Sequence, residues 1–142
     1  MKRVLALLLT FMMAFSFCGC GASISKQKVF RFVENNYDAI TEACRNQDTD
    51  ALLAIEGIQD VKIVDGYVIV FCEGKGIVTS SQDYGFYYSE EDVPVAVSYN
   101  MNIVCDIKSL TPEGKGYYYT ETGNDYYTEH IKGNIYFYSN AC

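Results

Sequence analysis

Tryptophan is absent from these 142 residues, histidine occurs once, at His130, and proline twice, at Pro94 and Pro112. One imidazole restricts base-assisted nucleophilic chemistry to His130, and candidate nucleophiles such as Cys105, Ser80 and Ser81 sit in no GxSxG-type setting. His130, beside Glu129 at an expected strand end, is read as a surface residue near a turn. No CxxC pair occurs, which argues against a zinc knuckle or a thioredoxin-like redox site. Gly74-Lys75-Gly76 lacks the GxxxxGK[ST] order of a phosphate-binding loop, so its glycines are read as admitting a bulge or bend. Asp48-Thr49-Asp50 and Glu90-Glu91-Asp92 lack the order of a calcium loop and are read as a helix cap and a solvated acidic loop. No metal and no cofactor are expected. A small hydrolase built on a carboxylate pair or on His130 is the third of three functional readings.

What is present begins with an address. Met1-Lys2-Arg3 is positive, Val4 to Phe17 is apolar and uncharged, and Gly19, Gly21 and Ala22 are small, which is the layout of a secretory signal peptide. Fourteen helical residues would span about 21 Å, short of the roughly 30 Å of bilayer hydrocarbon. Phe17-Cys18-Gly19-Cys20 resembles the lipobox of bacterial lipoprotein precursors, with Phe17 where that family usually has Leu. The resemblance covers the first 21 residues. It implies cleavage before Cys20 and acylation of Cys20, and with them a palmitate-type anchor at the extracytoplasmic face of the cell membrane. The acyl chains supply about 0.8 kcal/mol per buried CH₂. Residues 1–19 are then signal peptide, 20–28 the lipidated N-terminus with a short tether, and 29–142 a single domain.

Eleven basic residues face eighteen acids, and Lys2 and Arg3 leave with the signal, so the mature chain carries −9. That balance argues against nucleic acid and against electrostatic docking on anionic lipid. The tether of eight residues reaches about 29 Å when extended, which keeps the domain near its membrane.

Val29, Phe32, Val33, Tyr37, Ile40 and Cys44 recur at helical spacing and predict an amphipathic helix over about 26–46, with Ser25 as N-cap. Asp48 or Asp50 caps a second helix through Ala51 to Glu56, closed by Gly57. From Val61 the period becomes that of strands. Strands are expected at 61–64, 67–72, 77–80, 84–89, 95–99, 102–107, 117–120, 126–130 and 135–138. Asp65-Gly66 forms a two-residue hairpin turn, and further turns fall at Gln82-Asp83, Thr122-Gly123-Asn124 and Gly133-Asn134. Tyr67 to Cys72 has no polar face and is expected to be a central strand. The fold class predicted is α+β, an N-terminal helical hairpin packed on a mostly antiparallel β-meander. Phe71-Cys72-Glu73-Gly74-Lys75-Gly76 with Tyr84-Gly85-Phe86-Tyr87-Tyr88-Ser89 resembles short lipoproteins of Gram-positive anaerobes, a likeness that implies no activity.

Thirteen tyrosines are the most distinctive feature. Alternation along strands puts some rings on an outer face, and Tyr84, Tyr87, Tyr118 and Tyr127 are taken as a possible ligand face for a protein or a cell-wall glycan. The competing reading makes them cross-strand pairs at the edge of a core. Cys44, Cys72, Cys105 and Cys142 remain after processing and allow two disulfides; Cys72 with Cys105 and Cys44 with Cys142 is the preferred pairing, and buried thiols are the alternative. The leading expectation is a non-enzymatic envelope binding module. The second is an inhibitor or interaction lipoprotein whose acidic surface meets a basic secreted protein.

Overall fold

The computed structural model describes the backbone of residues 21–77, 80–99, 103–105, 107–121 and 123–141, and the side chains of 26–72, 83–99, 108–121 and 123–141. Helix α1 (Gly21–Asn35) is followed at once by α2 (Tyr37–Arg45) and then by the short α3 (Thr49–Leu53). The expected single helix is interrupted at Asn36. Its side-chain amide donates to the Phe32 carbonyl at 2.9 Å, and its backbone leaves the helical region at φ −116° and ψ 18°. Ser25, expected as the N-cap, lies inside α1. Asp48 does cap α3, its carboxylate accepting from the Ala51 N–H at 2.9 Å.

The α+β architecture with a helical hairpin is corrected by this arrangement. No helical hairpin forms, because α1 and α2 run on without a reversing loop and α3 has too few residues to lie along a partner. The fold is instead mostly antiparallel sheet with a few short helices. The strands are β1 (Asp60–Val64), β2 (Tyr67–Ile77), β3 (Ser80–Tyr88), β4 (Ala96–Ser98), β5 (Ile103–Cys105), β6 (Thr111–Glu113), β7 (Gly116–Glu121), β8 (Asn124–Lys132) and β9 (Ile135–Ala141). Seven of them form one sheet in the order β1-β2-β3-β9-β8-β7-β6, while β4 and β5 pair as a separate hairpin. The chain therefore departs from a simple meander: β9 enters between β3 and β8.

Local sequence explains much of this register. Asp65 and Gly66 both adopt positive φ, 50° and 86°, and join β1 to β2 as the two-residue turn requires. Gln82-Asp83, expected as a turn, lies inside β3 and pairs with Ala141 and Asn140. Pro112 sits in β6 at the sheet edge, where the missing N–H breaks no central ladder. A β-bulge between Phe71 and Glu73 precedes the Gly74-Lys75-Gly76 segment.

The sheet is covered on both faces. On one, Val29 and Val33 of α1, Ile40 of α2 and Leu52 of α3 bury against Val70, Phe86 and Phe137. On the other, Ile69, Tyr87, Tyr136 and Tyr138 lie under a strap of residues 89–99 that contributes Val95, Val97 and Tyr99. Full burial of side chains of this size contributes about 1.5–3 kcal/mol each, which is why the Val68–Val70 stretch of β2, buried on both faces, has no polar alternation.

Tyrosine hydroxyls fasten the strap. The Tyr87 hydroxyl accepts from the Val95 N–H at 2.9 Å and bonds Thr128 Oγ1 at 2.8 Å, and its ring stacks on Tyr136 with centroids 5.4 Å apart. Tyr136 donates to Asp92, 2.9 Å from a carboxylate oxygen and 3.0 Å from its carbonyl. The Tyr99 hydroxyl donates to Asp60 on β1, and its ring stacks on Phe71 at 5.0 Å. Tyr87→Phe is expected to cost about 2 kcal/mol in urea denaturation, since it strands the Val95 N–H and the Thr128 hydroxyl in a dry interior. Amide exchange at Val95 should accelerate in that variant; unchanged exchange together with unchanged stability would remove the hydroxyl from the fastening.

Candidate functional site

The four tyrosines singled out from the sequence do not share a face. Pairing places Tyr84 opposite Ser139, Ser139 opposite Tyr127, and Tyr127 opposite Tyr118, so three of them stand on the helix side of the sheet. Tyr87 pairs with Tyr136 on the strap side and is fully buried. Tyr84 is also buried, in the wall of a groove of about 220 Å³ that it forms with Val29, Phe32, Gly57 and Cys72. The single expected ligand face is thereby corrected. A ring's accessibility depends on what crosses over it, which alternation along a strand does not record.

What remains open is the β6–β8 end of the sheet. Helix α1 packs on β3, β9 and β8, and beyond it the helix-side face carries Glu113, Tyr118, Thr120, Asp125 and Tyr127. Strand alternation aligns these side chains: Tyr118 faces Tyr127 across β7 and β8, and Thr120 faces Asp125. Tyr118 and Tyr127 are half-buried, whereas Glu113 and Thr120 are exposed. Gly116 makes room for the cluster, since a Cβ there would lie 2.7 Å from the Tyr127 ring.

The floor of the site is a charged network. Glu129 is buried and accepts from the Lys26 ammonium and, at 2.5 Å, from the Tyr127 hydroxyl. Lys26 also stands 5.0 Å from the Tyr127 ring centroid and 5.8 Å from that of Phe30. Burial, and then the bond to Glu129, hold the Tyr127 phenol well above its ordinary range. The Tyr118 phenol is also raised, first through its hydrogen bond to Asp125. Thr120 Oγ1 donates to Asp125 Oδ1 at 3.2 Å. The result is two rings fixed in orientation and ringed by carboxylate and hydroxyl oxygens.

Glu129 and His130, adjacent in sequence, point to opposite faces. His130 is exposed, donates from Nε2 to the Gly133 carbonyl at 2.7 Å and meets Tyr136 edge-on at 5.1 Å. The side chains of Ser80, Ser81 and Cys105 lie outside the described residues. Cys44 is a buried free thiol, its pKa pushed up to about 12 by burial. Cys142, its expected disulfide partner, lies outside the described residues, and so does Cys20. Cys72 is half-buried at the bulge of β2. Asp92, read as part of a solvated acidic loop, accepts from Tyr136 with a positive φ of 54°.

Sequence reasoning missed Lys26, Glu129 and Asp125 as members of the cluster. The alternation of Asp125, Tyr127 and Glu129 on one face of a strand was a usable signal; the arrival of Lys26 from a helix about a hundred residues earlier had none. Among the described residues, no helix is long and apolar enough to cross a membrane. No protein-family model, curated protein or solved structure matches the chain.

Proposed function

We propose that this chain is a membrane-anchored envelope lipoprotein, acylated at Cys20, whose domain is a non-enzymatic binding module for cell-wall glycan. The observation that carries the glycan reading is the pairing of Tyr118 and Tyr127 at the open end of the sheet, edged by Glu113, Asp125 and Thr120. Half-buried tyrosine rings offer a rigid apolar surface to the C–H face of a sugar, at little entropic cost on binding. Carboxylates and hydroxyls at their margin accept from sugar hydroxyls, which supplies orientation. The signal-like N-terminus and lipobox resemblance supply the location, and the short distance from Cys20 to the domain keeps the site near the membrane.

Co-sedimentation of the mature chain carrying Cys20→Ser with purified cell-wall sacculi tests this. Wild-type surface should pellet and resist high salt, because stacking on a neutral sugar is not screened. Tyr118→Ala and Tyr127→Ala are each expected to weaken binding by about tenfold, with circular dichroism unchanged. Salt-sensitive pelleting that ignores both substitutions would transfer the binding to the acidic surface and a basic protein partner, and no pelleting would end the glycan reading.

A further inference from the structure

We propose that the N-terminal half of α1 docks on the anionic headgroups of the membrane that holds Cys20, so that this end of the helix meets the lipid and the strap of residues 89–99 lies away from it. This rests on the reading of Cys20 as the acylated residue. The net charge of the mature chain pointed against such docking, but the charge is not evenly spread. Residues 20–33 contain Lys26, Lys28 and Arg31 and no acid, and the first carboxylate after Cys20 is Glu34. This segment carries +3, and residues 34–142 carry −12.

The fold converts that order into a surface. Residues 21–35 are helical, so the stretch that the sequence presented as an extensible tether is helix from Gly21 on. From Gly21 the helix rises about 11 Å to Lys28 and about 15 Å to Arg31. Both charges reach the headgroups when α1 lies along the surface, within the Debye length over which the attraction acts. Lys28 and Arg31 are exposed and three residues apart on α1; Arg31 stands opposite Val29 and Val33, which are buried against the sheet, and Lys28 stands at the rim of the groove lined by Val29 and Phe32. Lys26 is engaged with Glu129 and holds α1 on β8, leaving the other two to the lipid. Further along, Glu34, Asp38 and Glu42 are exposed on α1 and α2. Their repulsion by an anionic surface lifts the far end of the helix layer, so the contact is confined to the anchored end. A basic stretch beside a lipid anchor is the pairing in which each Lys or Arg adds measurably to attachment at an anionic leaflet.

The lack of tryptophan allows a direct test. The lipidated chain is reconstituted in vesicles of phosphatidylcholine with or without phosphatidylglycerol, carrying a single reporter, Gln27→Trp on α1 or Glu91→Trp on the strap, and headgroup-attached nitroxide lipids as quencher. Quenching at position 27 should be strong, should depend on phosphatidylglycerol and should exceed that at position 91. Lys28→Glu with Arg31→Glu should lower the docked-to-undocked ratio by at least about thirtyfold, from roughly a factor of six for each lost cation. Equal quenching at both positions, or quenching indifferent to phosphatidylglycerol and to charge reversal, overturns the docking. Mass spectrometry of the N-terminal peptide separates the two premises: an acylated Cys20 with no preferential quenching refutes the docking alone, and an unacylated chain refutes the anchor and the docking together.

Discussion

Gly85→Ala is expected to destabilise the domain by about 4 kcal/mol or more and to leave little folded protein. Gly85 lies in the middle of β3, between β2 and β9, where a Cβ would fall 1.9 Å from the Val70 carbonyl oxygen and 3.2 Å from the Tyr138 ring. The first of these is a backbone atom of the central strand, so the clash cannot be relieved by turning a side chain; β2 and β3 must separate. Gly66→Ala makes an instructive control. Gly66 has φ +86° with no heavy atom within 4 Å of its would-be Cβ, so only the left-handed backbone resists, at about 1 kcal/mol. Urea denaturation of the two variants should separate them by several kcal/mol. Similar midpoints would mean that β2 and β3 do not approach so closely at Gly85.

The domain is also expected to unfold cooperatively in mild alkali. Cys44, Tyr87, Tyr99, Tyr136 and Tyr138 are all buried, and burial raises the pKa of each in the folded chain, with Cys44 and Tyr99 reaching about 12. In the unfolded chain these groups lose their protons near 9 for the thiol and near 10 for the phenols. The folded state thus binds more protons once the pH passes 9, and the stabilisation from these neutral groups is complete below that pH and declines above it. Each retained proton removes up to about 1.4 kcal/mol per pH unit, and the five groups act together as the unfolded phenols ionise through pH 10. A stability of ordinary size is consumed between about pH 10 and 11. Phenolate absorbance and far-ultraviolet circular dichroism, followed together, should change in one transition. Ionisation of all thirteen tyrosines at ordinary pH with the dichroism intact would show that the rings are not buried as described.

Both results concern the same physical point, that tyrosine serves here mainly as a core residue. The run of aromatic strands was legible as strands, and the turn at Asp65-Gly66, the cap at Asp48 and the two-sided burial of Tyr67 to Phe71 follow from local chemistry. The destination of each ring did not follow. Tyr87 and Tyr127 look alike in sequence, yet one is sealed beneath the strap and the other forms the wall of an open site. The difference lies in segments 8 and about a hundred residues away that supply Val95 and Lys26.

Residue order alone set the local order of this protein: an uncharged apolar run from Val4 to Phe17, helix before sheet, the β1–β2 turn, and a charge that changes sign after residue 33. These are properties of neighbouring residues, set by steric preference, capping and period. The meeting of distant segments decided that α1 runs on into α2 with no hairpin, that β9 enters between β3 and β8, and that the aromatic load divides into two cores and one open patch. It also made the expected tether helical from Gly21 on. Those outcomes depend on which distant surfaces meet, and burial against a remote partner outweighs the fraction of a kcal/mol by which local preference distinguishes one course of the chain from another.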